Sequence, residues 1–246
     1  MPQPRPATAP APELAPALER LQARIRAAEA ACGRPAGSVR LLAVTKTFGP
    51  QVVAAAAALG LRAFGENYVQ EAVAKIGAVA ALAPGLDLEW HFIGPIQSNK
   101  TRLIATHFQW VQSIERLNIA QRLAAQRPPG LPPLQVLLEV NISGEASKSG
   151  IHPQELPALA TQVAALPALR LRGLMAIPEP QADPQAQRRP FARLHALFLA
   201  VRASLEPGVR EGFDTLSMGM SGDFEAAINE GSTLVRVGSA LFGERQ

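Results

Sequence analysis

The chain has 246 residues, a length that suits one large α/β barrel or two small domains, and 48% are hydrophobic, enough for a substantial core. A single cysteine, Cys32, excludes an intramolecular disulfide and a cysteine-cluster metal site, and no apolar run reaches the length of a membrane span. The net charge of +4 comes from arginines dispersed among acids, as in Leu18-Glu19-Arg20, and aromatics are only 5%, which argues against nucleic acid, while a modest positive field would still attract an anionic small molecule.

Residues 1–12 are rich in proline and alanine, too proline-rich for a signal peptide, and read as a disordered leader to a cytoplasmic protein. The remainder, 13–246, reads as one domain. Leu14, Leu18, Leu21, Ile25 and Ala28 recur at helical spacing, with Gly33 where a C-terminal cap belongs. Strand and helix patterns then alternate. Strands are expected at 40–45, 62–65, 89–93, 108–111, 134–141, 169–176, 213–217 and 233–237. Between them, Gly49-Pro50 opens an alanine-rich helix, Asn67 can cap a helix running to about Leu82, and Ser113 can cap another near 117–126. Further helices follow Pro153, span Pro184 to Leu205 and Phe224 to Asn229, and a last helical turn covers 238–243. Eight continuous apolar strands alternating with helices predict a single closed (β/α)8 TIM-type barrel with an extra N-terminal helix. A doubly wound open sheet is the alternative, but no Gly-x-Gly-x-x-Gly follows the first strand.

Only four lysines stand beside twenty arginines, so each lysine invites a question. Lys46 ends the apolar run Leu41-Leu42-Ala43-Val44-Thr45, at the barrel end where chemistry collects. An imine-forming lysine and a solvated strand-end lysine are both open. The eighth strand ends Arg236-Val237-Gly238-Ser239, and the seventh leads into Met218-Gly219-Met220-Ser221-Gly222-Asp223. Each segment alone reads equally as a helix cap or a turn, but together, on consecutive barrel loops, they suit a phosphate. A lysine after strand one and a phosphate cradle after strands seven and eight, neighbours in a closed barrel, point to pyridoxal 5′-phosphate (PLP). Arg236 is either a rim ion pair or a donor facing the pyridine nitrogen; a guanidinium there would leave that nitrogen unprotonated and weaken the ring as an electron sink. His91 reads as a satisfied core histidine, Lys75 as a solvent-facing helix residue, and Ser98-Asn99-Lys100 as a cap and helix surface. No residue is assigned a catalytic role and none a metal.

Leu-Leu-Ala-Val-Thr-Lys-Thr-Phe (41–48), Phe-Gly-Glu-Asn-Tyr-Val-Gln-Glu (64–71), Trp-His-Phe-Ile-Gly-Pro-Ile-Gln-Ser-Asn-Lys (90–100) and Leu-Ser-Met-Gly-Met-Ser-Gly-Asp (216–223) resemble the pyridoxal phosphate homeostasis protein family (YggS/PROSC-like), which is related to the N-terminal barrel of alanine racemase. The resemblance spans about residues 14 to 244. It implies a fold type III PLP barrel in which Lys46 forms the internal aldimine. It also implies that Asn67 lies near the cofactor, Arg236 at the pyridine nitrogen, Ser221, Gly238 and Ser239 around the phosphate, and Met220 on the same wall. Ser239 stands where the family commonly has threonine, and the hydroxyl is kept. The loop at Lys100 becomes a candidate regulatory rim, and Lys148 a site that holds a second aldehyde transiently.

Two functions compete. One is a PLP-binding protein of intracellular PLP homeostasis without efficient turnover; the other is a PLP-dependent amino-acid racemase-like enzyme. Racemisation needs a second proton-transfer group opposite the lysine. In the resembling racemases it is a tyrosine supplied through a further domain, whereas Tyr68, the single tyrosine here, belongs to the second loop and the chain ends soon after the eighth strand. The homeostasis reading is therefore preferred. Its partners are PLP, other B6 vitamers and, transiently, PLP-dependent apo-enzymes, with a monomer expected and neither nucleic acid nor membrane involved.

Overall fold

A computed structural model describes residues 11–144, 149–181 and 183–243. Eight strands close into a barrel in chain order, β1 (Arg40–Val44), β2 (Ala63–Glu66), β3 (Glu89–Phe92), β4 (Trp110–Ile114), β5 (Leu134–Glu139), β6 (Leu169–Met175), β7 (Thr215–Ser217) and β8 (Leu234–Val237), and the pairings are parallel throughout. Outside them lie α1 (Ala11–Ala31), α2 (Pro50–Ala58), α3 (Val69–Leu82), α4 (Thr101–His107), α5 (Leu117–Gln126), α6 (Leu156–Ala164), α7 (Pro184–Ser204), α8 (Pro207–Gly212), α9 (Phe224–Asn229) and α10 (Ser239–Phe242). The (β/α)8 barrel with its extra N-terminal helix is thus the fold. The stripe Leu14, Leu18, Leu21, Ile25 and Ala28 is buried along α1, each large side chain contributing roughly 1.5–3 kcal/mol by leaving water. Residues 1–10 of the expected leader lie outside the described residues, as does Lys148. Among the described residues no helix is long and apolar enough to cross a membrane.

Most of the core fills the layer between barrel and helices. Successive strand residues face opposite sides. Leu42, Ala63 and Leu234 form one small cluster inside the barrel, and Trp110, Leu137 and Met175 form another. Leu42 faces inward, so Arg40, Val44 and Lys46 share that face. The closing pair aligns Ala43 of β1 with Val237 of β8, which carries the segments after both strands to one rim.

Several expectations are corrected. β4 begins two residues later than anticipated and runs three further at its end, where Gln112 and Ser113 look polar in sequence yet are buried and hydrogen-bonded. Ser113 caps no helix; its hydroxyl donates to the Gly94 carbonyl at 2.6 Å. Asn67 makes no cap either, since α3 begins at Val69 with Tyr68 in the N-cap position and no side-chain bond. Ser98–Lys100 forms one 3₁₀ turn ahead of α4. Lys75 is not solvent-facing. It is 5% exposed, and its ammonium donates to Glu66 Oε1 at 2.7 Å, to Glu71 Oε1 at 3.0 Å and to the Thr45 carbonyl at 2.8 Å.

Candidate functional site

Lys46, Asn67, Met220, Ser221, Arg236, Gly238 and Ser239 all line one cavity of about 350 Å³ at the C-terminal rim of the barrel. Strand ends deliver them: β1 supplies Lys46, β2 Asn67, the loop after β7 Met220 and Ser221, and β8 with its following turn Arg236, Gly238 and Ser239.

The Lys46 side is braced from outside the barrel wall. Thr45 precedes the lysine and turns outward, where its hydroxyl donates to Glu66 Oε1 at 2.6 Å. Thr47 follows it, and its N–H donates to Glu71 Oε1 at 3.0 Å. Lys75 joins both carboxylates, so one buried ammonium ties the residues flanking Lys46 to α3. Burial pushes the Glu66 carboxyl above its ordinary range, against the pull of Lys75 and its hydrogen bonds. Thr47 has φ 71°, which is rare for a β-branched residue. On β2's side, Gly94 lets the chain pass. A Cβ there would lie 2.3 Å from the Asn67 carbonyl oxygen, so the backbone of Asn67 rests directly on the glycine. The Asn67 Oδ1 is buried without a hydrogen-bond partner.

On the opposite side, Arg236 is 4% exposed and remains cationic at neutral pH, although burial lowers its pKa to about 10. Its guanidinium donates to Ser217 Oγ at 2.7 Å and to the Ala176 carbonyl at 2.9 Å, and the carboxylates of Glu139 and Asp223 oppose the lowering of its pKa. Asp223 accepts the Met220 N–H at 2.6 Å and closes the turn that carries Ser221. The Ala240 N–H donates to Ser221 Oγ at 3.2 Å, which ties the loop after β7 to the start of α10. Gly219, at φ 94°, packs so tightly that a Cβ would meet Ala227 Cβ at 2.6 Å.

A pyridoxal phosphate homeostasis protein of Pseudomonas aeruginosa is 60% identical over 228 residues, covering 93% of this chain and 94% of the relative. The chain belongs to that family. The homeostasis protein of Escherichia coli K12 is 52% identical, covering 93% of this chain and 95% of its own. The family described as alanine racemase, N-terminal domain, matches residues 17–246. PipY of Synechococcus elongatus PCC7942, solved with PLP bound, superposes with a TM-score of 0.78 at 32% identity, over 94% of this chain and all of its own.

In this member of the pyridoxal phosphate homeostasis family, sequence reasoning missed the apolar part of the cavity. Val44, Phe48, Ile93 and Ile177 line it beside the expected residues, as do Gly243 and Gly222, the latter from the loop already read as suiting a phosphate. Val44 was discoverable by alternation from Lys46. Ile177, half exposed after β6, carried no signal. Also missed was Glu139 at the end of β5, which lines a second cavity of about 190 Å³ that shares Ile177 with the first. Burial, reinforced by Glu115 and opposed by Arg236, raises its pKa to about 7. His91 is the satisfied core histidine expected, bonded to Glu89 and Gln112.

Proposed function

We propose that this chain binds PLP at the barrel mouth and holds and releases it, without efficient turnover of a substrate. The observation that carries the reading is the meeting of Lys46, Arg236, Ser221 and Ser239 in one cavity, of a size that ordinarily takes a small cofactor. The orphaned Asn67 Oδ1 supports the fit, because a ligand hydroxyl would supply the donor it lacks. When bound, the cofactor brings an electrophilic aldehyde and a ring able to delocalise charge. Lys46 presents its amine to the aldehyde carbon. Ser221, Ser239 and the backbone at Gly238 take the phosphate, and Met220 lines the wall. Arg236 would donate an N–H to the ring nitrogen and, keeping its own proton at neutral pH, would leave that nitrogen unprotonated. Such a ring is a poor electron sink, which suits storage better than carbanion chemistry.

Borohydride reduction after incubation with PLP tests this directly. Peptide mass analysis is expected to find the cofactor fixed at Lys46 and absent from Lys46→Ala; a protein that gains no adduct refutes the reading. The match to the alanine racemase domain family favours a second reading, an amino-acid racemase-like enzyme. Lys46-dependent exchange of the α-hydrogen of alanine with deuterated solvent would support that one instead. The preferred reading extends to a cytoplasmic monomer that exchanges PLP, and other B6 vitamers, with PLP-dependent apo-enzymes. Light scattering reads the first point, and activation of an apo-enzyme by the loaded protein reads the second.

A further inference from the structure

A single file of hydrogen bonds crosses the inside of the barrel from the cavity toward its far end. Arg236 Nη1 donates to Ser217 Oγ at 2.7 Å, and Ser217 Oγ donates to Gln112 Oε1 at 2.7 Å. Gln112 Nε2 meets His91 Nδ1 at 2.9 Å, and His91 Nε2 meets Glu89 Oε1 at 2.8 Å. Glu89 is in turn paired with Arg40 at the N-terminal end of β1. Ser217, Gln112 and His91 are fully buried. His91 stacks on Trp110, with ring centroids 5.1 Å apart and planes 11° apart, so the imidazole cannot turn freely.

The direction of every proton in this file follows from its first member. A guanidinium only donates, so Ser217 Oγ accepts from it and has one hydrogen left for Gln112 Oε1. With Oε1 engaged, the Gln112 amide nitrogen faces His91 and donates, so Nδ1 must accept. The imidazole proton therefore sits on Nε2 and goes to Glu89. The opposite amide orientation would make Ser217 accept twice, leave its hydrogen unused and require a charged His91. Burial lowers the His91 pKa and disfavours that charge.

We propose that Gln112 and His91 are positioning residues for Arg236, holding Ser217 with its lone pair toward the guanidinium so that Arg236 keeps one direction at the cavity. This rests on the reading of Arg236 as the partner of the cofactor's ring nitrogen. Without Gln112, the Ser217 hydroxyl is free to rotate and Nη1 of Arg236 loses its directed acceptor, leaving the guanidinium held at Nη2 by the Ala176 carbonyl.

The test compares full-length Gln112→Met and Gln112→Glu with the unsubstituted protein, titrated with PLP and followed by absorption between about pH 6 and 9, a range in which loss of control over the ring nitrogen would appear as a titrating band. Gln112→Met is expected to weaken PLP binding about tenfold, the loss of one well-directed charged hydrogen bond, and to make the band pH-dependent. Gln112→Glu still accepts from Ser217, so it is expected to keep the band of the unsubstituted protein while His91 gains a proton between two carboxylates. A merely structural role predicts the reverse order, because a buried carboxylate disrupts packing more than methionine does. If Gln112→Met fails to fold, Ser217→Ala is read in the same way, with the same expected change. Unaltered affinity and band in Gln112→Met, or in Ser217→Ala, overturn the proposal. Absence of a Lys46 adduct in the unsubstituted protein overturns the cofactor reading itself, and the positioning role with it. Nitrogen NMR of His91 in the cofactor-free protein separates the two failures, since it reports the Nε2–H form and the file of bonds whether or not PLP binds.

Discussion

Two buried polar systems flank the cavity, and they are built differently. Outside the barrel wall, Lys75 with Glu66 and Glu71 is a cluster of formal charges that grips the backbone on either side of Lys46. Inside the barrel, Ser217, Gln112 and His91 are neutral groups that relay direction to one side chain, Arg236. A charge cluster resists displacement strongly but specifies orientation poorly. A file of neutral donors and acceptors specifies orientation at each step and holds less tightly. The lysine side needs a fixed place in the chain, and the arginine side needs a fixed direction.

The largest expected effect comes from breaking the outer cluster. Lys75→Met leaves the fully buried Glu66 carboxyl without its cation, a change that ordinarily costs about 3 to 5 kcal/mol. Urea denaturation should show a loss of that size. Replacing Glu66 by Gln in the same chain should recover much of it, since the uncompensated charge is then gone. A loss under about 1 kcal/mol, within the range of a surface ion pair, would mean that the cluster is solvated and the contrast with the interior unfounded.

The outer cluster also marks where the sequence was readable and was misread. Eight apolar runs were enough to give the barrel, and the loops after β1, β7 and β8 were enough to gather Lys46, Ser221, Arg236, Gly238 and Ser239; Asn67 and Met220 came from the family resemblance. Lys75 looked like an ordinary helix charge. Yet it falls on the stripe Val69, Ala72, Lys75, Val79, all buried, with Glu71 one turn earlier, and a lysine on an apolar stripe is itself a signal of a buried partner. Gln112 and Ser113 were lost for a related reason. Alternation of apolar residues defines a strand only where its faces meet apolar surroundings, and β4 turns Gln112 toward a polar file inside the barrel. No local pattern could reveal that Arg236 is joined to Gln112, because β8 and β4 meet only across the closed barrel.

Glu139 sharpens the comparison with a pH dependence of the interior. Its pKa in the fold is about 7 against an ordinary 4.5, so between those values the native protein holds a proton that the unfolded chain has released. Stability therefore falls as pH rises through that window, by at most about 3 kcal/mol, and the loss is complete above the folded value. Glu139→Gln should match the unsubstituted protein near pH 4.5 and exceed its stability at pH 8, as urea midpoints at the two pH values would show. Equal midpoints at pH 8 would mean that water reaches Glu139 freely and that the interior beside Arg236 is not desolvated.

The smallest effect tests whether the outer grip stores strain. Thr47 is the one non-glycine residue with positive φ among the described residues, and it adjoins Lys46. A left-handed β-branched residue costs roughly 1 to 2 kcal/mol, whereas glycine adopts that angle freely but gives the unfolded chain more entropy. These terms nearly offset, so Thr47→Gly should change stability by no more than about 1 kcal/mol, most plainly as a small gain. The Thr47 N–H can still reach Glu71, so the grip on the backbone survives and the Lys46 adduct should form to the same extent. What glycine removes is stiffness between the grip and the lysine, and the expected consequence is faster PLP release, read by stopped-flow absorption after mixing with an excess of a competing amine. Unchanged release would place the control of Lys46 in the Thr45 side of the cluster alone, where the hydroxyl and carbonyl of one residue engage Glu66 and Lys75 together.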